Sequence, residues 1–357
     1  MIDVAQAAAA QIDTAQIDTA QIDTAQIDQA ARILEAGGLV AFPTETVYGL
    51  GADAENPAAV AKIYQAKGRP QDHPVIVHLA PEADPGYWVS ALPDAARQLV
   101  VAFWPGPLTL ILQRAHHIPD AVSGGQDTIG LRCPAHPLAQ ALLRAFKQGK
   151  GGLAAPSANK FGHVSPTTAQ HVQQEFALDP NHLLQMVLDG GSCAVGIEST
   201  ILDLSRMATH GPVLLRPGHI STEQIETVLH RSVAAADVTA PRASGTLASH
   251  YAPRTPVVLQ SAARLLQSAH ELQQAGCSFT VILYDMPTPP GVSAICRLPC
   301  DAKAYARQLY SALRDMDQHH TRVILVQTPP DAVKWHGVND RLRRAAHGSE
   351  QILQQLT

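Results

Sequence analysis

The chain has 357 residues, a net charge of −5, 46% hydrophobic and 16% charged residues, and five cysteines. This length exceeds what one ordinary core absorbs and predicts two domains, and no apolar run reaches the roughly 18–20 residues that span a bilayer. The acidic balance argues against a surface that grips nucleic acid chiefly through its phosphates, although it leaves room for a local basic pocket and direct RNA contact stays open. Cys133, Cys193, Cys277, Cys296 and Cys300 form no C-x-x-C pair, so neither a disulfide framework nor a zinc ribbon is indicated. The alanine-rich start carries Asp3 and no basic stretch, unlike a signal peptide, and a cytoplasmic location is expected.

The chain opens on a tandem pentapeptide, Gln-Ile-Asp-Thr-Ala from 11, 16 and 21, closing with Gln26-Ile27-Asp28-Gln29-Ala30. A five-residue period turns about 500° around a helix, so its isoleucines form no single stripe. Residues 1–26 therefore read as a repetitive extension without function, and the packed fold is expected from Ile27, with Gly37-Gly38 ending the first helix. Leu39–Pro43 reads as a strand followed by polar Thr44-Glu45-Thr46 and a Gly-rich turn. Asn56-Pro57 opens a helix that runs to Lys67-Gly68. Pro74–Leu79 is a strand, and Pro93–Phe103 a helix broken by Trp104-Pro105-Gly106-Pro107. Strands at Leu108–Gln113 and Thr128–Cys133, a helix over 136–147 and a short strand at Gly152–Pro156 follow. Ser165-Pro166 opens another helix; Met186–Asp189, Thr200–Leu204 and Val213–Arg216 are strands. Ser221 and Gln224 form a capping box for the helix Thr222–His230.

This succession predicts an α/β domain over 27–230 with a mixed sheet. Residues 231–256 are small and polar, interrupted by His250-Tyr251-Ala252-Pro253, and read as a linker. Over 257–357, strands at Val257–Leu259, Thr280–Tyr284 and Val323–Val326 alternate with helices near 261–275, 301–315 and 338–346. This predicts a smaller Rossmann-like α/β domain without a Gly-rich fingerprint.

Chemistry is suggested by side chains in unusual places. Lys67 and Arg69 close a helix, where cations suit the dipole, but they would also be held rigidly for a triphosphate or carboxylate. Three apolar strands end in His78, Arg132 and Arg216. Buried arginine needs a partner, and several at strand ends suggest convergence on an anionic ligand. Ala154-Ala155-Pro156-Ser157-Ala158-Asn159 and Glu198-Ser199-Thr200 add small residues and hydroxyls. There is no P-loop, and Gly49-Leu50-Gly51-Ala52-Asp53-Ala54 lacks the strand–turn–helix succession of a dinucleotide fingerprint. Cys133, before Pro134, reads as a packing residue.

Taken in order, Phe42-Pro43-Thr44-Glu45-Thr46-Val47-Tyr48-Gly49-Leu50-Gly51, Lys67-Gly68-Arg69-Pro70, His73–His78, Trp104–Thr109, Pro156–Asn159, Glu198–Thr200 and Leu215–Gly218 resemble the YrdC-like threonylcarbamoyl-AMP synthase family in its long, two-domain form. His250–Pro253 and Asn339–Ala346 extend the resemblance over almost the whole chain. It implies a YrdC-like twisted mixed sheet with flanking helices. It also implies the ATP-dependent joining of L-threonine and bicarbonate into threonylcarbamoyl-AMP, with release of pyrophosphate. The product would feed a separate transferase complex that modifies tRNA. By motif position, the resemblance places Thr46, His78, Arg132, Ala155 and Ser199 at threonine. Arg69, His73, Thr128, Ser157, Asn159, Ser165, Arg216 and Tyr251 would be at ATP, with Lys67 and Arg69 catalytic and Mg²⁺ carried by the nucleotide. The family usually has Asn where this chain has His73, which adds a titration near about pH 6.5. Tyr251 is expected to fold back against the nucleotide phosphates.

Two other readings are a double-stranded RNA-binding module and a carbamoyl transferase of hydrogenase maturation. The first would want a basic, aromatic-interleaved stripe, and the second an acylphosphatase-like segment and zinc-type cysteine pairs. None of these is present in the sequence.

Overall fold

The computed structural model describes residues 23–177, 179, 181, 183–349 and 351–357. The pentapeptide tract through residue 22 lies outside them. Asp23 and Thr24, from the unit that starts at 21, open the first described helix, Thr24–Glu35: the Asp23 carboxylate accepts from the amides of Ala25 and Gln26. This helix thus starts three residues before Ile27, because an Asp-Thr pair is a natural N-cap.

Among the described residues the chain forms two compact units, one of the residues up to Phe161 plus Pro166–Thr246, the other of Gly162–Ser165 plus Leu247–Thr357. Residues 231–256, expected as a linker, therefore divide between the units. In the first unit the strands are β1 (Leu39–Phe42), β2 (Gly49–Asp53), β3 (Ile76–Leu79), β4 (Leu108–Gln113), β5 (Thr128–Arg132), β6 (Gly152–Ala154), β7 (Leu184–Val187), β8 (Thr200–Asp203), β9 (Val213–Arg216) and β10 (Ala234–Ala235). Among the described residues they make one mixed sheet in the order β10-β9-β8-β4-β5-β3-β6-β2-β1-β7.

The Gly-rich stretch after Tyr48 is a strand where a turn was expected. Gly49–Asp53 pairs antiparallel with β1, with Phe42 opposite Gly49 and Val40 opposite Gly51. Phe42 is the reason: a Cβ on Gly51 would stand 2.8 Å from the Phe42 ring and 3.2 Å from the Val40 carbonyl oxygen. Thr44–Tyr48 becomes the loop of a β-hairpin. The helix expected from Ser165-Pro166 starts later, at Ala169, where the Thr168 side chain accepts from the His171 amide. The other boundaries follow local chemistry closely. Asn56 caps Pro57–Lys67, Gly68 ends it in the left-handed region, and Ser221 and Gln224 form both bonds of the capping box.

Strand alternation sorts the first unit's residues to the two faces of the sheet. Leu39, Ala41, Val77, Leu79, Leu110, Leu112, Ile129 and Leu131 pack in one large core with the helices Pro57–Lys67, Asp94–Phe103, Ala169–Phe176 and Thr222–Leu229. On the opposite face Val40, Phe42 and Leu153 pack with the helices Thr24–Glu35 and Pro137–Ala145. Further along that face the helices give way to a small cluster of Ile76, Ile111, Ile201 and Ala243.

The second unit has a parallel sheet of β11 (Val257–Gln260), β12 (Phe279–Leu283), β13 (Ala294–Arg297) and β14 (Val323–Gln327), in the order β11-β14-β12-β13. Leu265, Ala269 and Leu272 of the helix Ala262–Gln274 pack on Val281, Leu283, Val323 and Leu325. β13 and the terminal helix Ile352–Leu356 were not expected.

Candidate active site

The small isoleucine cluster is the floor of a polar site. β3 and β5 are parallel and in register, with Ile76 beside Gly130 and His78 beside Arg132. Because Val77 and Leu131 point into the large core, His78 and Arg132 must share the other face. Thr109 and Ile111 of β4 lie on that face too. Gly130 keeps the floor flat, since a Cβ there would lie 3.1 Å from Ile111.

Arg132 is buried and paired. Its Nη2 donates to Glu45 Oε1 at 2.6 Å and its Nε to the Gly106 carbonyl at 3.2 Å, while Glu45 Oε2 accepts from the Ala135 amide at 3.0 Å. The hairpin loop that carries Glu45 is tied by its threonines. Thr44 Oγ1 donates to the Val47 carbonyl at 2.6 Å, accepts from the amides of Thr46 and Val47, and lies 2.8 Å from Thr46 Oγ1. His78 is buried, with its ring edge-on to Phe42, and its Nδ1 has no hydrogen-bond partner among the described residues. Burial, aided by the Arg132 charge, pushes its pKa down to about 3, so the ring is neutral.

Next along the sheet, Ser199 joins β4 to Arg216 at the end of β9. Its hydroxyl lies 2.8 Å from Thr109 Oγ1 and accepts from Arg216 Nη2 at 3.1 Å; its carbonyl accepts from Arg216 Nε and Nη2. Ser244 links this arginine to Arg69: its carbonyl accepts from Arg216 Nη1 at 2.8 Å and its Oγ from Arg69 Nη2 at 3.2 Å. Arg69 also donates to the Pro74 carbonyl at 2.7 Å, and its guanidinium carbon lies 5.9 Å from the centre of the Phe161 ring. His73 meets the same ring edge-on at 5.4 Å. Its pKa is lowered, first by burial and then by Arg69, which moves it away from the near-neutral titration the sequence suggested.

Lys67 is buried, and its ammonium donates to the carbonyls of Ser157 at 2.6 Å and Asn159 at 2.5 Å. Burial, then the Arg69 charge, hold its pKa well below the usual lysine value. The residue ties the end of its helix to the Pro156–Asn159 turn. Ser157 pairs across to Gly49, and the Ala155 amide donates to the Ile76 carbonyl at 2.9 Å.

The structure thus brings together Thr46, His78, Arg132, Ser199 and Arg216, and beside them Lys67, Arg69, His73, Ala155, Ser157 and Asn159. Thr128 stands apart, at the opposite end of β5 from Arg132, about 13 Å along the strand. Ser165 and Tyr251 belong to the second unit. There Ala252 bridges to His163 and its amide donates to the Gly162 carbonyl. Tyr251 is buried with φ of 62°, stacked on Tyr310 at 5.7 Å with Arg341 5.4 Å from its ring centre. Cys133 is buried and its thiol is pushed up to about 12 by desolvation, which fits a packing residue.

Sequence reasoning set Glu45 at a strand end where open sheets collect ligands but gave it no role, and did not assign Thr109, Phe161 or Ser244 to the site. Glu45 had a signal: a lone carboxylate at a strand end, in a chain whose buried arginines need counterions. Ser244 sits in what reads as plain linker and had none.

The Sua5/YciO/YrdC family model, described as "Telomere recombination", matches residues 32–218, and the model for the threonylcarbamoyl-AMP synthase C-terminal domain matches 220–347. A threonylcarbamoyl-AMP synthase of Bacillus subtilis is 40% identical over 334 residues, 90% of this chain and 92% of its own length. One of Pyrococcus abyssi is 37% identical over 331 residues, 89% and 93%. The crystal structure of P. abyssi Sua5 in complex with L-threonine superposes with a TM-score of 0.82 at 34% identity, covering 91% of this chain and 95% of that one. With both family models in sequence and near-complete relatives well above 30% identity, the chain belongs to the Sua5/YciO/YrdC family, in the long form that carries the synthase C-terminal domain.

Proposed function

We propose that the chain is an L-threonylcarbamoyladenylate synthase: it joins L-threonine, bicarbonate and ATP into threonylcarbamoyl-AMP, releases pyrophosphate, and passes the product to a separate transferase that modifies tRNA. The observation that carries this reading is the sharing of one sheet face by two cationic groups. Arg132 with neutral His78 forms one, and Arg216 and Arg69, joined through Ser244, form the other.

The reaction brings anions together. The threonine amine adds to bicarbonate with loss of water, and a carbamate oxygen then attacks the α-phosphorus of ATP as pyrophosphate departs. The threonine carboxylate would lie at Arg132 Nη1, with the hydroxyls of Thr46 and Ser199 nearby. The phosphates would lie along Arg69 and Arg216, replacing Ser244 as their partner. Fixed cations offset the repulsion between carbamate and triphosphate and hold both in reach, which is catalysis by positioning and preorganised charge. In this reading Lys67 acts through the turn it ties, since two of its three protons are already committed to carbonyls.

Mg²⁺ enters as part of the MgATP substrate, largely hydrated and held by phosphate oxygens. Among the described residues no three or more His, Cys, Asp or Glu side chains are grouped to hold a metal ion, and no helix is long and apolar enough to cross a membrane. The test is pyrophosphate release with each of ATP, threonine and bicarbonate omitted in turn. All three should be required, and equal turnover without threonine would sink the proposal.

A further inference from the structure

We propose that Glu45 is a positioning residue for the amino-acid substrate: it locks the Arg132 guanidinium so that one end only, Nη1, meets the substrate carboxylate. This rests on the reading of Arg132 as the carboxylate site. Two of the three guanidinium nitrogens are already committed, Nη2 to Glu45 Oε1 and Nε to the Gly106 carbonyl. A planar group held at two nitrogens has its third fixed in direction. Among the described residues no hydrogen bond engages Nη1. Both partners are nearly inaccessible, with side-chain exposures of 4% for Arg132 and 1% for Glu45.

Glu45 is itself over-determined. Its second oxygen accepts from the Ala135 amide, its backbone carbonyl accepts from the Val195 amide at 2.7 Å, and its loop is tied by Thr44. It is therefore a fixed strut. A surface ion pair would only screen charge, whereas this one sets where an arginine points. Free arginine prefers a two-pronged grip on carboxylate, and Glu45 occupies one prong. The substrate carboxylate is then held end-on by Arg132, which leaves its other oxygen to the hydroxyls and the neutral His78 beside it. An amino acid held this way is oriented about its carboxylate by the protein around it, and its amine is directed with it.

The test compares wild type with Glu45→Gln and Glu45→Asp in the full chain, by pyrophosphate-release kinetics, threonine calorimetry and thermal unfolding. Gln can accept from only one of the two donors, Arg132 or Ala135. Asp keeps the charge but withdraws it by one methylene. In both, KM and Kd for threonine should rise about tenfold or more while KM for ATP stays within about twofold. Rises in both KM values together, unchanged threonine affinity, or tighter threonine binding from a freed two-pronged grip would overturn the positioning role. If Gln fails to fold, Asp decides; if neither folds, the pair serves the fold and the proposal also fails. A wild type that neither binds threonine nor uses it in pyrophosphate release refutes the reading of the site itself, a different outcome from any of these.

Discussion

Acidification should destabilise the first unit through His78 in particular. The ring is buried, and desolvation with the nearby Arg132 holds its pKa down to about 3; unfolded, it titrates near about 6.5. Between those values the unfolded chain binds a proton that the native one refuses. Stability is therefore lost as pH falls from about 6.5 toward about 3, and is flat above about 6.5 where neither state is protonated. The whole shift corresponds to about 5 kcal/mol, of which about 3 kcal/mol is already lost at about pH 4.5. In a unit of this size that is a fall in Tm of roughly 5–10 °C. Carboxylates titrate over the same range, so the diagnostic quantity is the difference between wild type and His78→Asn, measured by calorimetry near pH 7.5 and near pH 4.5. The variant should lose less on acidification by about that amount. If both proteins lose the same stability, His78 is not held neutral, and the packing described around Phe42 and Arg132 is wrong.

Lys67→Met should remove the ammonium that donates to the carbonyls of Ser157 and Asn159, at about 1–3 kcal/mol for each hydrogen bond to a buried acceptor, partly offset because Met needs no desolvated charge. Since burial lowers the Lys67 pKa, wild-type stability should also rise with pH up to about 10.5 through this residue; a slope unchanged in Lys67→Met would count against it. Arg69→Ala should cost at least about tenfold in turnover at saturating threonine, and more than Lys67→Ala does, because of these two Arg69 alone is proposed to touch phosphate; the reverse order in pyrophosphate-release assays would reassign them. Gly51→Ala should destabilise by about 1–3 kcal/mol, as its Cβ would press on Phe42 at 2.8 Å; an unchanged Tm would mean that Phe42 has room to move. A chain ended after His230 should melt below one ended after Thr246, because only the longer one keeps β10 and the Ser244 bonds to Arg69 and Arg216; equal melting would make residues 231–246 a mere tether to the first unit.

What could be read from the sequence was whatever neighbours in the chain decide. Asn56-Pro57, Gly68 and the Ser221–Gln224 box set helix ends with their own side chains and amides, so those ends are local chemistry. The strand endings at His78, Arg132 and Arg216 were visible because charge after an apolar run is costly unless something answers it. What answers it was hidden. Glu45 lies 87 residues before Arg132 and Ser244 lies 175 after Arg69, and no local pattern announces a partner at that distance. The strand at Gly49–Asp53 was hidden for the opposite reason. Glycine weakens a strand judged alone, yet here the absence of side chains is what lets Phe42 lie across it. The same distinction bears on the site. Its cations were legible as anomalies, but the shared face they occupy is a property of strand pairing: β3 and β5 are parallel and in register. A shift of one residue in that register would turn Arg132 into the core and His78 away from it, so the chemistry depends as much on the pairing of Val77 with Leu131 as on the charged residues themselves.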